Sequence, residues 1–455
     1  MHLAIGQWIV DHRAFPHADP FSLTAAGAHW ITSAWLSEIL YLFAFKVAGW
    51  AGPVVLAGAA LAVTYILLTL LLLRRLPPIP VSILVGCSLV LTSSHWHARP
   101  HVLVFPLMVL WTNALVEAAE GRRAPSLPHL ALLCLWANLH GSFTLGLALV
   151  LPLATEAIWT ADQSERKKMA LDWGRFGLLA IIAACITPYG PESILVTFRL
   201  MNLGDVLASI SEWQPQTFGK MNYFEICLLG GMAYALSSGL KIPFLRILFL
   251  LAIIHETFAH IRYVVVMALV APFFIAGPLA QHLHYKAQST AFSMPRSARG
   301  GLVVLMAVLA IVTGVASKVM DFKPPPAPSV ALGKIREADA SRILNDYAFG
   351  PYLIYAGFRP FIDSRAELYG AEFLARYQRA ILLQDLPDLF RLLHEYRITS
   401  TLLTPTSPVV GLLDRLTGWK RAYEDDVAVV HVYRNPTEPK ASSGQDAKVQ
   451  VDRVD

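Results

Sequence analysis

Charged residues are scarce in this sequence. Asp, Glu, Lys and Arg make up 15% of the 455 residues, whereas 55% are hydrophobic, and the mean hydropathy is +0.50. Soluble domains carry about 25% charged residues. The composition therefore excludes an ordinary soluble protein and indicates a polytopic membrane protein with a smaller water-soluble part. The net charge of +5 is mild and predicts no nucleic-acid partner.

Cysteine is also rare, and no metal-ligand spacing is present. The four cysteines each lie inside an apolar run, without a CxxC pair, and we interpret them as small core or lipid-facing residues. His255 and Glu256 precede His260 with one residue more than the HExxH spacing of zinc proteases, so we assign no metal site. The opening residues lack the basic and apolar regions of a signal peptide.

Long apolar runs dominate the first three quarters of the chain. At about 20 apolar residues per crossing, they predict a mainly α fold: a transmembrane helical bundle of about ten spans. Residues 2–12 and 35–49 have helical apolar spacing and predict two interfacial helices. The predicted spans are 51–73, 79–93, 102–118, 127–139, 143–160, 174–187, 222–239, 243–257, 262–279 and 300–318.

Basic residues fall on alternate connections, which the positive-inside rule assigns to the cytoplasm. These connections contain Arg74–Arg75, Arg122–Arg123, Arg166–Lys168, Lys241 with Arg246, and Lys286 with Arg296 and Arg299. The other connections are then external: 1–50, 94–101, 138–142, 188–221, 256–261 and everything after 319. This assignment places the unusual polar residues on one side of the membrane.

The densest polar segment is Ser94–His101, which lies between two apolar runs. It contains His95, His97, His101, Arg99 and Trp96. Such a segment can be an interfacial cap, in which Trp and His sit at headgroup depth and Arg snorkels. It can also form a ligand pocket at the membrane surface, because ionisable residues near hydrocarbon usually pair or serve a site.

Carboxylates, imidazoles and guanidinium groups around one cavity suit a substrate that carries phosphate and hydroxyl groups. Each catalytic candidate has a plainer alternative. Glu38 can pair with Lys46, and Asp19 precedes Pro20 as a common turn residue. The candidate catalytic residues are Asp19 and Glu38. The candidate substrate-binding residues are His95, His97, Arg99, His140, Glu212, Trp213, Glu256 and Arg262.

The sequence predicts five regions, and the C-terminal ones differ in composition from the rest. Residues 1–50 form the first external loop and 51–318 the transmembrane domain. Residues 319–340 are a Pro-rich linker, 341–434 a small external α/β domain, and 435–455 a polar, disordered tail. Within the α/β domain we predict strands at 341–347, 361–363, 399–404 and 427–433, and helices at 371–384, 386–396 and 408–417. The charged run Asp363–Glu367 is either a second active site or a structural ion-pair cluster.

Several short motifs lie at the predicted helix ends and in the C-terminal domain. They are Gly6–His12, Asp19–Ser22, Trp35–Glu38, Arg99–His101, Asn138–Gly141, Thr187–Gly190, Glu212–Trp213, Asn345–Tyr347 and Ile362–Gly370. Over nearly the whole chain these motifs resemble bacterial membrane proteins related to the GT-C glycosyltransferases. Relatives place a transmembrane helix and Asp-Pro-Asp-x-Trp-Trp-His-Leu first, whereas this sequence opens at Met1-His2-Leu3. We therefore expect the first helix and its acidic pair to be missing, which leaves Asp19 and Glu38.

The resemblance implies an inverting transferase that takes a sugar from a polyprenyl phosphate. A carboxylate of the first external loop would activate the acceptor hydroxyl. Arg99 and Arg262 would stabilise the leaving phosphate, aided by a divalent cation such as Mg²⁺ or Mn²⁺.

We expect a bacterial inner-membrane protein whose partners are the bilayer, the lipid-linked sugar and a cell-envelope acceptor. The alternative is a non-catalytic transporter or assembly partner that binds lipid-linked glycans.

Overall fold

The computed structural model describes residues 1–204, 211–219, 221–285 and 328–434. The predicted span at 300–318, the first part of the predicted linker and the predicted tail lie outside these residues. The described chain divides into two compact units. The first contains the described residues of Met1–Pro20, Ala25–Pro325 and Arg365–Leu374, and the second those of Phe21–Thr24, Pro326–Ser364 and Ala375–Asp455.

The first unit is helical. Its helices are α1 His2–His12, α2 Trp35–Ala48, α3 Ala51–Leu73, α4 Pro78–Thr92, α5 Pro100–Leu103, α6 Phe105–Glu120, α7 Leu130–Leu139, α8 Phe143–Thr160, α9 Arg166–Ala184, α10 Glu192–Met201, α11 Tyr223–Ser238, α12 Phe244–Ala259 and α13 Tyr263–His282. Short 3₁₀ turns follow α4 at Ser93–His95, precede α7 at Leu127–His129 and cover Ser211–Trp213. Several helices begin at or just before a Pro. Pro is favoured there because the backbone N–H groups of the first turn have no partner within the helix, and Pro has no N–H.

Four helices among the described residues are long and apolar enough to cross a membrane. They are Ala51–Leu73, Pro78–His95, Phe143–Thr160 and Tyr263–His282. The other helices are shorter or, like α9, begin with charged residues. The count of about ten spans therefore stays a prediction.

Aromatic side chains fill the core of the first unit. Trp111, Trp136 and Trp173 are fully buried, and Trp111 stacks on Phe176 with ring centroids 5.8 Å apart. The Trp111 indole N–H donates to the Gly146 carbonyl oxygen at 2.8 Å. A Cβ atom at Gly146 would lie 2.9 Å from Leu133 Cδ1. Glycine therefore lets α8 pack closely on α7 while the buried indole keeps its hydrogen bond.

A network of ion pairs joins one set of helix ends. Arg75 pairs with Glu120 at 2.7 Å, and Arg246 reaches Glu120 at 3.0 Å and Glu156 at 2.8 Å. The network therefore ties the ends of α3, α6 and α8 to the start of α12. Arg75 and Arg246 belong to connections that the charge pattern assigns to the cytoplasm.

The second unit contains a four-stranded sheet of order β1-β2-β4-β3, with β1 Ile343–Asn345, β2 Ser400–Leu403, β3 Trp419–Glu424 and β4 Val429–Tyr433. Strands β1 and β2 are parallel, and the other pairs are antiparallel. The remaining helices among the described residues are α14 Ser329–Glu337, α15 Gly350–Tyr355, α16 Ala366–Ile381, α17 Leu386–Glu395 and α18 Pro408–Leu413, and the first part of α16 belongs to the first unit.

The sequence-based assignment of this part needs corrections, and the short helix α15 was not predicted. Helix α14 lies where a linker was expected, because Ala331, Leu332 and Ile335 are buried in the core of the second unit. Residues 361–363 form no strand, and only Pro360 bridges to Ile343. Strand β3 was missed because three of its six side chains are charged and four are exposed, so no apolar alternation marks it.

Candidate functional site

The polar connections of the first unit meet at the helix ends opposite the ion-pair network. The Tyr41 hydroxyl donates to the Arg99 carbonyl oxygen at 2.9 Å. The Ser37 hydroxyl donates to the Leu139 carbonyl oxygen at 2.7 Å, and the Trp35 indole donates to Asn138 Oδ1 at 2.9 Å. These contacts join α2 to the segments 94–101 and 138–142. We call the region around them the polar site.

Two arginines frame one carboxylate in the polar site. The Arg99 guanidinium forms an ion pair with Glu212, and both side chains are half-exposed. The Arg262 backbone N–H donates to the Glu212 carbonyl oxygen at 3.1 Å. The Arg262 guanidinium lies 4.3 Å from the centroid of the Trp213 ring, in a cation–π contact. Two positive charges against one negative charge leave this part of the site cationic.

Backbone hydrogen bonds hold residues 212–216 along the end of α12. Ile261 N–H donates to the Gln214 carbonyl oxygen, and Gln216 N–H donates to the Phe258 carbonyl oxygen, each at 2.9 Å. His260 Nδ1 lies 2.9 Å from the Trp213 carbonyl oxygen. Glu256 lies one turn earlier, on the last turn of α12, and is half-buried. The α12–α13 connection thus fixes Glu212 and Trp213 beside Arg262.

Three histidines lie next to this arginine pair. His101 Nε2 donates to the His95 carbonyl oxygen at 3.2 Å, and the rings of His101 and His140 are 6.2 Å apart between centroids. His140 Nδ1 accepts the Ser142 backbone N–H at 3.1 Å. His97 is exposed, and its side chain makes no hydrogen bond among the described residues.

Burial keeps two of these imidazoles neutral. Burial lowers the pKa of His101 to about 4, and the hydrogen bond to His95 only partly offsets it. Burial also holds the pKa of His140 well below its ordinary value, and the positive charge of Arg262 acts in the same direction. Neutral imidazoles can donate to and accept from hydroxyl groups, but they carry no charge to match a phosphate.

The charged groups of the polar site keep their charges. Burial opposes ionisation of Glu212, but Arg99 and Arg262 outweigh it, so the pKa of this carboxyl is lowered. Burial lowers the pKa of the Arg262 guanidinium, and the Glu212 carboxylate acts against this effect. A guanidinium stays protonated in proteins even after such a shift. The positive charge of the site therefore comes from Arg99 and Arg262.

Glu38 lies at the edge of the polar site, with its side chain only 2% exposed. Its Oε2 accepts the Thr32 hydroxyl at 2.8 Å, and its Oε1 lies 3.1 Å from His2 Nδ1. Glu38 forms no ion pair with Lys46 in the described part of the chain. The preceding residue, Ser37, contacts Leu139, so Glu38 is next to the His140 turn.

Asp19 is placed differently. Its side chain is completely buried and pairs with Arg365 at 2.6 Å. The Arg365 guanidinium also lies 4.7 Å from the centroid of the Trp30 ring, and the Trp30 indole donates to Glu367 at 3.2 Å. A carboxylate sealed in this way cannot approach an acceptor hydroxyl, which argues against Asp19 as a base. The charged run Asp363–Glu367 likewise contributes an ion pair here, as the plainer alternative predicted.

Comparison with solved structures shows where else this fold occurs. Archaeal oligosaccharyltransferase AglB from Archaeoglobus fulgidus, solved in complex with an inhibitory peptide and a dolichol-phosphate, matches 89% of this chain with a TM-score of 0.56 and 12% sequence identity. This chain has an oligosaccharyltransferase-like fold. No family model matches the sequence, and no curated protein matches it.

Two other structures of an Archaeoglobus fulgidus oligosaccharyltransferase match at 12% identity. The apo form covers 88% of this chain with a TM-score of 0.52. A form tethered by a disulfide bond to an acceptor peptide with the NVT sequon also covers 88%, with a TM-score of 0.54. The chain spans only 65%, 65% and 64% of the length of the three solved chains.

Within the described part of the chain, no group of three or more His, Cys, Asp or Glu side chains is arranged to hold a metal ion. We therefore assign no step of a reaction to a cation, and the expected Mg²⁺ or Mn²⁺ stays a prediction.

The structure brings together most of the assigned site residues and adds others. His95, Arg99, His140, Glu212, Trp213 and Arg262 lie in the polar site, and Glu38 at its edge, whereas Asp19 is sealed against Arg365. His101, named in the polar segment but not among the substrate-binding candidates, also lies here, whereas His2 was not named as a candidate. His2 pairs with Glu38, which is 36 positions away. The spacing of residues within one helix or turn cannot predict such a contact.

Proposed function

We propose that this protein transfers a sugar from a polyprenyl-phosphate donor to a cell-envelope acceptor. The reaction would take place on the external face of a bacterial inner membrane, with the C-terminal domain on the same face. The oligosaccharyltransferase-like fold supports the proposal, because an enzyme of this fold was solved with a dolichol-phosphate. The observation that carries it is the cationic pair Arg99 and Arg262. Arg99 lies at the start of α5, in the segment that follows α4, and Arg262 lies at the start of α13; α4 with its following turn and α13 are apolar enough to cross a membrane.

The two arginines would bind the donor phosphate. The Arg99–Glu212 pair is half-exposed, and exposed pairs contribute only about 0–1 kcal/mol, so an anionic headgroup can replace Glu212 with little loss. Arg262 would remain in place, because it stacks on Trp213 and is held by its backbone bond to Glu212. The neutral imidazoles of His101 and His140, with His95 and Glu256, would contact sugar hydroxyls, and exposed His97 would line the entrance.

The reaction that fits these groups is a direct displacement. The acceptor oxygen forms a bond to the anomeric carbon as the bond from that carbon to the phosphate oxygen breaks, and the configuration inverts. The phosphate leaves with the electron pair, and its charge is stabilised by the guanidinium groups. The acceptor proton passes to a base of the Glu38 region. Asp19 takes no part, because it is sealed by Arg365.

The proposal is tested with the full chain in proteoliposomes that contain a labelled polyprenyl-phosphate sugar and an envelope glycan acceptor. We expect release of lipid phosphate together with labelled acceptor. R262Q should lower kcat/KM by about 10²–10³, the effect of removing one preorganised donor to a developing anion. The matched control is R122Q, because Arg122 is exposed and pairs with Asp162 at the opposite helix ends.

Each arm of this assay separates one alternative. Donor binding without release, in wild type and with every acceptor, would favour the non-catalytic glycan binder. Equal loss in R262Q and R122Q would show that the phosphate is not bound in the polar site. Parallel reactions with EDTA, Mg²⁺ or Mn²⁺ decide whether a divalent cation is needed.

A further inference from the structure

A buried carboxylate and a reachable imidazole form a pair at the edge of the polar site. His2 Nδ1 lies 3.1 Å from Glu38 Oε1. The Glu38 side chain is 2% exposed, whereas that of His2 is 34% exposed. A substrate hydroxyl can therefore reach the imidazole but not the carboxylate.

The backbone brings the two residues together through a glycine. Gly6 follows His2 by one helical turn, so both residues lie on the same face of α1. A Cβ atom at Gly6 would lie 2.5 Å from the Glu38 carbonyl oxygen. Only glycine lets α1 approach α2 this closely. The same approach places His2 within hydrogen-bond distance of the Glu38 carboxylate.

The hydrogen bonds also set the protonation of the ring. Glu38 Oε2 is already occupied by the Thr32 hydroxyl at 2.8 Å, and Oε1 faces His2 Nδ1. A carboxylate accepts hydrogen bonds, so Nδ1 carries the proton and the lone pair lies on Nε2. Among the described residues the His2 side chain makes no other hydrogen bond. Nε2 is thus left to accept a proton from a bound molecule.

The pair lies beside the groups assigned to the donor. Ser37, next to Glu38, donates to the Leu139 carbonyl oxygen, and His140 follows directly. The ring of His140 is 6.2 Å from that of His101 between centroids. Of the titratable groups on neighbouring elements, Glu38 on α2 faces His2 directly, and His140 in the α7–α8 turn and Tyr189 interact with this pair.

We propose that His2 is the general base of the transfer and that Glu38 is its positioning residue. This inference rests on the proposed function. The acceptor O–H gives its proton to His2 Nε2 as the oxygen attacks the anomeric carbon, and the phosphate departs with the electron pair. Glu38 holds the ring through Nδ1–H and stabilises the imidazolium that forms. In this arrangement the base is the partly exposed imidazole of His2 and not the buried carboxylate of Glu38.

The test uses chemical rescue in the proteoliposome assay. H2A should lower kcat by about 10²–10⁴, the usual contribution of a general base, with little change in KM. Added imidazole should restore turnover to H2A, because it can occupy the space left by the side chain. E38Q should lower kcat in the same direction, and the double variant H2A/E38Q should be no slower than H2A, because both residues act through one proton transfer.

Two variants guard against a loss of folding. H2N keeps an amide N–H at the place of Nδ1–H, so it preserves the bond to Glu38 but removes the base, and it should be as slow as H2A. H12A alters the exposed histidine at the other end of α1 and should keep wild-type turnover.

The outcomes separate the two proposals. A wild-type protein that releases no lipid phosphate overturns the proposed function. An active wild type whose H2A and H2N variants keep their turnover overturns only the assignment of His2. Loss of activity in H2A that imidazole does not restore, while the variant still binds donor, also contradicts the role of His2 as a base.

Discussion

At the scale of single residues, the two carboxylates chosen from the sequence have opposite environments. Asp19 is sealed against a guanidinium, whereas Glu38 is buried behind an imidazole that reaches the surface. Burial alone therefore does not distinguish a structural carboxylate from one that serves a reaction. The partner of the carboxylate makes the difference. A buried arginine leaves Asp19 without access to a substrate, whereas the partly exposed His2 can connect Glu38 to one.

The structural role of Asp19 can be measured. D19A would leave the Arg365 charge buried without its carboxylate, which typically costs about 3–5 kcal/mol in the free energy of unfolding. D11A is the control, because Asp11 is exposed, and its effect should stay within about 0.5 kcal/mol. Thermal unfolding in detergent reports both. A D19A variant as stable as D11A but without transfer activity would instead support Asp19 as a base.

The buried imidazole of His101 predicts a dependence of stability on pH. Its pKa is about 4 in the folded chain, against about 6.5 in an unfolded chain. Between these values the unfolded chain binds more protons, so this contribution is complete above about pH 6.5 and is lost as the pH falls towards 4. The melting temperature of wild type should fall more steeply over that range than that of H101Q.

The control for this comparison is H12Q, because His12 is exposed on α1. It should keep the wild-type slope. Parallel curves for wild type and H101Q between pH 6.5 and 4 would contradict the neutral, buried state of His101.

At the scale of elements, close helix approach depends on particular glycines. A Cβ atom at Gly52 would lie 1.9 Å from the Ala44 carbonyl oxygen, so α3 begins in contact with the backbone of α2. Gly58 lies further along the same helix, and a Cβ atom there would meet nothing within 4 Å. The two positions carry the same residue for different reasons.

This difference predicts opposite effects of one substitution. G52A should destabilise the protein by about 1–3 kcal/mol, because the helices must separate to admit the methyl group. G58A should be neutral or stabilise by up to about 1 kcal/mol, since alanine favours the helix. Thermal unfolding of both variants in the same detergent gives the comparison. Equal stability of G52A and G58A would show that α2 and α3 are not packed this closely.

At the scale of the whole molecule, polar contacts of the first unit form two groups at opposite helix ends. One is the polar site, and the other is the ion-pair network of Arg75, Glu120, Glu156 and Arg246. Surfaces of the helices between them carry many exposed apolar side chains, as expected for contact with lipid. The positive-inside rule assigns the network to the cytoplasm and the polar site to the outside.

Sided labelling tests this assignment. In a background without the four native cysteines, S94C in the polar segment and K420C in β3 should react with a membrane-impermeant maleimide in intact cells. R123C, between α6 and α7, should react only after permeabilisation. All three positions are exposed. Reaction of S94C and K420C from opposite sides would contradict the shared external face and, with it, the proposed transferase.

Much of the secondary structure could be predicted from the sequence. Helices α1, α3 and α8 have the predicted bounds, because apolar composition over a long run favours one outcome in a membrane. The prediction was wrong for strand β3 and for helix α14, where a loop and a linker were expected. Strand β3 forms because it pairs with β4, and α14 forms because a few of its apolar side chains are buried. Local sequence carries no record of these partners.

The sequence by itself determined the helical membrane character and the residue types that gather at one set of helix ends. Both follow from hydrophobicity and charge, which act along the chain without reference to a fold. Only the tertiary structure decided that Arg365 seals Asp19 and that Gly6 brings His2 to Glu38. The reason is physical: whether a carboxylate is available depends on which side chain fills the space beside it, and those partners come from distant parts of the chain.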